Sequence, residues 1–431
     1  MNKKEHPLVK REKYLAKLIQ QMGRDAIKIV TGIRRCGKSY LLFTLFYNYL
    51  RENGVADEQI IQIKLDEKKN EALRNPDALY QYLNEKIADD KKDYFVLLDE
   101  AQFAIRKEDM QNRDEPLPLY DILNELLHRP NVDVYITGSN SKFLSTDVMT
   151  EFRGRGEEIH LQPLVFSEFC SAFGGTAHEA WEQYLFYGGM PRLFQEEDAE
   201  SKANYLKSLF SEIYLKDIKE RYGVRNDSGM EELVNIVASS VGSFTNPQRI
   251  ANTFKSESSK AVSEPTITDY LQFLQDSFVV QKADRYDIKG RRYIGTPSKY
   301  YFSDIGLRNA RLNFRQIEKS HIMENIIYNE LLYRGYTVDV GVVEANVTEN
   351  GKSTRRQFEV DFVANRGSER LYIQSALNLE SREKTLQEQN SLMRIPDSFK
   401  RIIVTEGSMP TWYTEEGTEV VSVEKWLLWK E

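Results

Sequence analysis

One octapeptide constrains this chain more than any other stretch. Gly32-Ile33-Arg34-Arg35-Cys36-Gly37-Lys38-Ser39 fits G-x-x-x-x-G-K-[ST], a loop pattern built to hold phosphate. Gly32 and Gly37 let the backbone turn tightly and approach an anion where a Cβ would obstruct. Lys38 can reach the β- and γ-phosphates, and the Ser39 hydroxyl can ligate Mg²⁺. The setting agrees with the motif. Ala26-Ile27-Lys28-Ile29-Val30 before it is a short apolar run of strand type, and Leu41 to Leu50 after it reads as a helix stopped near Gly54. A helix that begins at the loop directs its unpaired N–H groups and positive dipole end at the anion.

Two further strand ends extend the series. Tyr94-Phe95-Val96-Leu97-Leu98-Asp99-Glu100 is an apolar run that closes on two acids. Such a run suits a strand buried on both faces of a parallel sheet. Its carboxyl end is where ligands of open α/β sheets sit. Asp99 is there the candidate to hold Mg²⁺ through water beside Ser39. Glu100 is the candidate to orient or deprotonate an attacking water. Val132 to Thr137 is a third run, ending Gly138-Ser139-Asn140, and Ser139 or Asn140 is placed to stand near a γ-phosphate.

Strand-like runs at 26–31, 60–65, 94–99, 133–137 and 157–162 alternate with helical patterns, which predicts a mostly parallel sheet with helices on both faces. The 431 residues suggest two to four domains, and 41% hydrophobic with 29% charged residues is an ordinary globular composition. No apolar run approaches 18 residues and the N-terminus has no apolar core, so the expectation is a cytoplasmic protein without membrane contact. Cys36 and Cys170 are the two cysteines, too few for a disulfide framework or a cysteine metal site. A net charge of −7 argues against nucleic-acid binding over the whole surface, though not against a local basic patch.

Four segments follow from the pattern: a core at 1–165, a mostly helical stretch at 166–227, a winged-helix-like stretch at 228–310 and a last α/β unit at 320–431. The third shows helical patterns and then a hairpin carrying Lys282, Arg285, Lys289, Arg291 and Arg292. That hairpin is the candidate DNA contact. The helix at 264–277 has Glu264, Asp269 and Asp276 but no lysine or arginine, which does not suit a helix that reads DNA.

The ordered set of motifs resembles the prokaryotic AAA-type (AAA_14) ATPases that carry a C-terminal nuclease-like domain of the DUF4143 group. It comprises Thr31 to Ser39, Leu97-Leu98-Asp99-Glu100-Ala101-Gln102, Ile136 to Ser141, Gly154-Arg155, Pro163-Leu164, Phe166-Ser167-Glu168-Phe169, Tyr187-Gly188-Gly189-Met190-Pro191, Glu359-Val360-Asp361-Phe362-Val363 and Tyr372-Ile373-Gln374.

The resemblance implies an α/β P-loop NTPase core of the AAA+/ASCE type with an additional strand, a helical lid, a winged helix and a degenerate restriction-endonuclease-like terminal domain. It implies ATP and Mg²⁺ as ligands, with Gly32 to Tyr40 as the binding segment and Ser39 and Asp99 at the metal. Lys38, Glu100, Asn140 and Arg155 are the catalytic candidates. Arg155, or its neighbour Arg153, would act as an arginine finger in its own subunit or in another, or else form a surface salt bridge. A nuclease of this fold needs an acid on the first helix, an Asp at a strand end and Glu-x-Lys on the next strand. Glu324 and Asp361 fit, but the third position reads Gln374-Ser375-Ala376. The leading expectation is a Mg-dependent ATPase that couples hydrolysis to a conformational change. The alternative is a slow, nucleotide-gated module for a DNA or protein partner, and self-association stays open.

Overall fold

The computed structural model describes residues 9–106, 117–139, 155–257, 262–349, 352–379, 381–407 and 409–429. The chain divides into two compact units, one of Leu8–Pro163 with Asp276–Phe278, the other mainly of Leu164–Gln275 and Val279–Glu431.

The first unit is built on five parallel strands: β1 (Ile27–Thr31), β2 (Ile60–Lys64), β3 (Tyr94–Asp99), β4 (Val132–Thr137) and β5 (Gly156–His160). They lie within about two residues of the places the apolar runs predict. Their order across the sheet is β2-β3-β4-β1-β5, so β4 is inserted between the strand that enters the phosphate loop and the strand that ends in Asp99. Every residue of β1 and β3 is buried. Helices on the faces supply Leu79, Leu83, Leu119, Leu123 and Leu126 to one apolar cluster with Ile27, Ile29, Val96 and Leu98. Each such side chain contributes about 1.5–3 kcal/mol on burial. Lys28 is a buried cation inside this sheet: fully buried on β1, it pairs with Asp133 Oδ1 at 2.6 Å and donates to the Arg24 carbonyl at 2.8 Å.

The second unit carries helices and a nine-stranded sheet. Its strands are β6 (Phe244–Thr245), β7 (Val280–Asp287), β8 (Arg292–Phe302), β9 (Thr337–Glu349), β10 (Lys352–Arg366), β11 (Glu369–Ala376), β12 (Lys400–Thr405), β13 (Trp412–Tyr413) and β14 (Glu419–Ser422). The order is β13-β14-β12-β11-β10-β9-β7-β8-β6. The hairpin pairs Val280–Asp287 with Arg292–Phe302, so Lys282, Arg285 and Arg292 lie on paired strands while Lys289 and Arg291 lie in the turn. β7 also pairs in parallel with β9, Arg285 opposite Val340 and Asp287 opposite Val342. The basic hairpin and the terminal strands therefore form one sheet. Among the described residues, no helix is long and apolar enough to cross a membrane.

Candidate functional site

β1 delivers the chain to the phosphate loop, and two glycines make the loop geometrically possible. Gly32 sits at φ 140°, and a Cβ there would lie 2.2 Å from the Leu161 carbonyl oxygen beyond β5. Gly37 takes φ 107° and precedes the helix, which runs through Lys38–Tyr40, wider π turns at Leu41–Phe46, and Tyr47–Glu52. Arg35 also adopts a left-handed backbone, at φ 63°. Ile33 and Cys36 are buried, Arg35 is exposed, and Arg34, Ser39 and Tyr40 are half-buried. Cys36 faces inward, its thiol donating to the Leu161 carbonyl at 3.3 Å. Burial pushes that thiol up, which makes it a packing residue rather than a nucleophile. The Lys38 ammonium is buried and donates to the carbonyls of Gly32 at 3.0 Å and Ile33 at 3.2 Å.

The carboxyl end of β3 meets this loop. Asp99 is 2% exposed, and the nearby Ser39 hydroxyl favours its charged form. Burial raises the Asp99 pKa above the ordinary range and Glu100 adds to the rise. Hydrogen bonds from Thr137 and Ser39, and the Lys38 charge, oppose it. Glu100 is held in a left-handed backbone, φ 51° and ψ 53°. Its carboxylate accepts from Gln102 Nε2 and, at 3.3 Å, from Ser139 Oγ. Lys38, Ser39, Asp99, Glu100 and Ser139 thus meet at one edge of the sheet.

Two residues of this site escaped the sequence reading. Thr137, at the end of β4, donates to Asp99 Oδ1 at 2.5 Å and accepts from the Glu100 backbone N–H at 2.9 Å. It ties the two acids together through one hydroxyl, and only the strand order brings it between them. His160 ends β5, with Nδ1 3.1 Å from Thr31 Oγ1 and its ring 4.7 Å from that of Phe278. Burial, helped by the Lys38 charge, pulls its pKa down to about 4. At neutral pH it adds no positive charge beside the loop.

Other expectations fare differently. Asn140 and Arg153 lie outside the described residues. Arg155 is exposed just before β5, its carbonyl accepting from the Ile27 N–H at 2.9 Å. The register pairs Ile27 with Gly156 and Thr31 with His160. Arg155 therefore stands at the opposite edge of the sheet from the loop, roughly 16 Å away at ~3.3 Å per residue. That is beyond the reach of one side chain, so an own-subunit finger at Arg155 is not what this geometry provides. A cleft of about 730 Å³ lies at that same far edge, lined by Arg24, Asp93 and His128 among others. It is at the amino ends of the strands, where open α/β sheets do not place their ligands.

The basic hairpin is largely spoken for. Lys282 pairs with Asp284 at 2.7 Å and Arg292 with Asp287 at 3.7 Å. Lys289 donates to the Glu344 carbonyl at 2.9 Å, and Arg285 donates to Gln357 at 3.2 Å while lying over the Phe244 ring. Arg291 is exposed at the turn.

A parallel sheet with one strand inserted between the loop strand and the acid-bearing strand, and with both motifs at its carboxyl edge, defines a P-loop NTPase. A model of the AAA domain matches residues 24–170, and a model of a domain of unknown function (DUF8612) matches residues 178–318. An uncharacterized protein of Haemophilus influenzae is 33% identical over 426 residues, 98% of this chain and 99% of that one. An uncharacterized protein of Methanocaldococcus jannaschii is 25% identical over 419 residues, 93% of this chain and 85% of that one. Among solved structures, a Walker-type ATPase of Pyrococcus abyssi aligns over 71% of this chain and 96% of that one, at TM-score 0.49 and 14% identity. The chain belongs to one family with the uncharacterized Haemophilus influenzae protein, and its residues 24–170 form an AAA domain.

Proposed function

We propose that this chain binds ATP with Mg²⁺ at the edge formed by Gly32 to Tyr40 and Asp99, and hydrolyses it. The observation that carries the reading is the meeting of the phosphate loop with the acidic end of β3, where Lys38 and Ser39 both act on the buried Asp99 carboxylate. Loop amides and the Lys38 ammonium would bind the phosphates, the lysine exchanging its loop carbonyls for phosphate oxygens. The hard oxygens of Ser39 and Asp99 fit Mg²⁺, which keeps several waters and takes few protein ligands. When bound, the ion neutralises phosphate charge. Glu100, its carboxylate steadied by Gln102 and Ser139, is the base toward water. An arginine finger from Arg155 would serve a second copy's site.

The same reading takes 1–165 as the ATPase core, 166–227 as the lid, 228–310 as a winged helix and 320–431 as a DUF4143-type terminal domain, and gives the protein a cytoplasmic place. Hydrolysis would drive a change of conformation passed to a partner. Adenine is preferred over guanine, since the chain has no [NT]-K-x-D element. The test is nucleotide binding and turnover by the purified chain, with GTP in competition and with or without double-stranded DNA. Lys38→Ala should lose binding or turnover. Glu100→Gln should bind ATP as the parent does while turnover falls at least about 100-fold. Unchanged turnover by Glu100→Gln removes that residue from its role, and no heat of binding for MgATP ends the proposal. Slow basal turnover that rises with a ligand would favour the gated-module reading.

A further inference from the structure

The second unit holds a buried charge cluster that the ATP site does not use. Lys299, on β8, is 3% exposed. Its ammonium lies 2.9 Å from Glu324 Oε1, on the helix Lys319–Tyr333, and 2.6 Å from Glu359 Oε1, on β10. The Tyr301 hydroxyl donates to the same Glu324 oxygen at 2.6 Å. Asp361, 7% exposed, accepts from the Ser375 N–H at 2.8 Å and feels Glu324, Glu359 and Lys299 electrostatically.

These acids include the two that the nuclease resemblance singles out, so the fit of a divalent metal can be judged on the donors present. It is poor. Gln374 replaces the third carboxylate, and its Oε1 already faces the Asp361 N–H at 3.5 Å and the Ser391 hydroxyl at 3.3 Å. Ala376 supplies no lysine and is buried in an apolar cluster with Tyr372, Leu392 and Ile395. Among the described residues, no three histidine, cysteine or acidic side chains are grouped as a metal needs. What the acids share is an ammonium. It has three donors, two of them spent on two carboxylates, and it would repel a second cation from the same oxygens.

We propose that the Lys299 ammonium is the resident cation of this centre, standing in place of a divalent metal. The intact domain then takes up no metal at Glu324 and Asp361 and cleaves no nucleic acid. The lysine comes from the hairpin rather than from the terminal strands, so the same contact fastens β8 to the helix and to β10. The burial of an unpaired carboxylate is costly, which gives the lysine a structural reason to be there.

The experiment uses the full-length chain without nucleotide, which keeps it independent of the ATP proposal. Bound Mn²⁺ is counted by electron paramagnetic resonance, and plasmid cleavage is followed in the same Mn²⁺ buffer. Lys299→Ala, checked for folding by circular dichroism, is expected to bind one Mn²⁺ per chain more than wild type. Glu324→Gln in that background should remove it. A folded Lys299→Ala chain with no additional Mn²⁺ overturns the proposal. If that variant does not fold, the wild type decides. Mn²⁺ uptake or DNA cleavage by wild type that Glu324→Gln abolishes makes the centre a working metal site and sinks the idea. Neither activity above the Glu324→Gln background supports it.

Discussion

Replacing Thr137 by valine removes one hydroxyl and keeps the shape of the side chain. Two hydrogen bonds go with it: the 2.5 Å bond to the Asp99 carboxylate and the 2.9 Å bond from the Glu100 N–H. A hydrogen bond to a charged group is worth about 1.5–3 kcal/mol, and a backbone N–H left without its acceptor costs about 1 kcal/mol more. Thr137→Val should therefore destabilise the first unit by about 2–4 kcal/mol, and Thr137→Ser by about 1 kcal/mol or less. A second effect has a definite sign. Thr137 is the largest of the influences that offset the burial of Asp99. Without it the Asp99 pKa rises further, and the acidic limb of the ATP turnover profile moves to higher pH. Urea unfolding at pH 8 reads the first effect, and turnover measured from pH 5 to 9 reads the second. A valine variant with the wild-type unfolding midpoint and the wild-type acidic limb would refute the reasoning.

Gly32→Ala places a Cβ 2.2 Å from the Leu161 carbonyl at φ 140°. Backbone strain of about 1–3 kcal/mol adds to overpacking of similar size, so the thermal midpoint should fall and nucleotide binding with it; a midpoint equal to wild type would contradict the loop geometry. Asp304 is fully enclosed, accepting from the N–H groups of Gly189 at 2.7 Å and Leu307 at 3.0 Å. Burial pushes its pKa from 3.8 to about 6. The native state keeps this proton over a pH range where the unfolded chain has lost it. The resulting stability is fully present below about pH 4 and lost as pH rises through 6, about 3 kcal/mol at ~1.4 kcal/mol per unit. Asp304→Asn should flatten the dependence of unfolding free energy between pH 4 and 7 by that amount, and an unchanged slope would count against it.

The sequence determined the first sheet almost alone. Its strands are short, apolar and buried on both faces, and local pattern is enough where every position must be hydrophobic. The phosphate loop was equally plain, because φ angles of 140° and 107° leave glycine as the natural choice and chemistry asks for one ammonium and one hydroxyl nearby. Strand order is a different kind of fact. No pattern within β4 says that it is inserted between β1 and β3, so the Thr137 bridge could not be read from local pattern, whereas the place of Arg155 just before the strand predicted at 157–162 already put it at that strand's amino end. The hairpin shows the same limit. Its charged residues were a candidate DNA contact, whereas in the structure Lys282 pairs with Asp284 on its own strand and Lys289 donates to the Glu344 carbonyl. Lys299 is the sharpest case. In sequence it is one lysine among many; only the tertiary structure sets it between Glu324 and Glu359, since contacts between residues tens of positions apart depend on how whole elements pack.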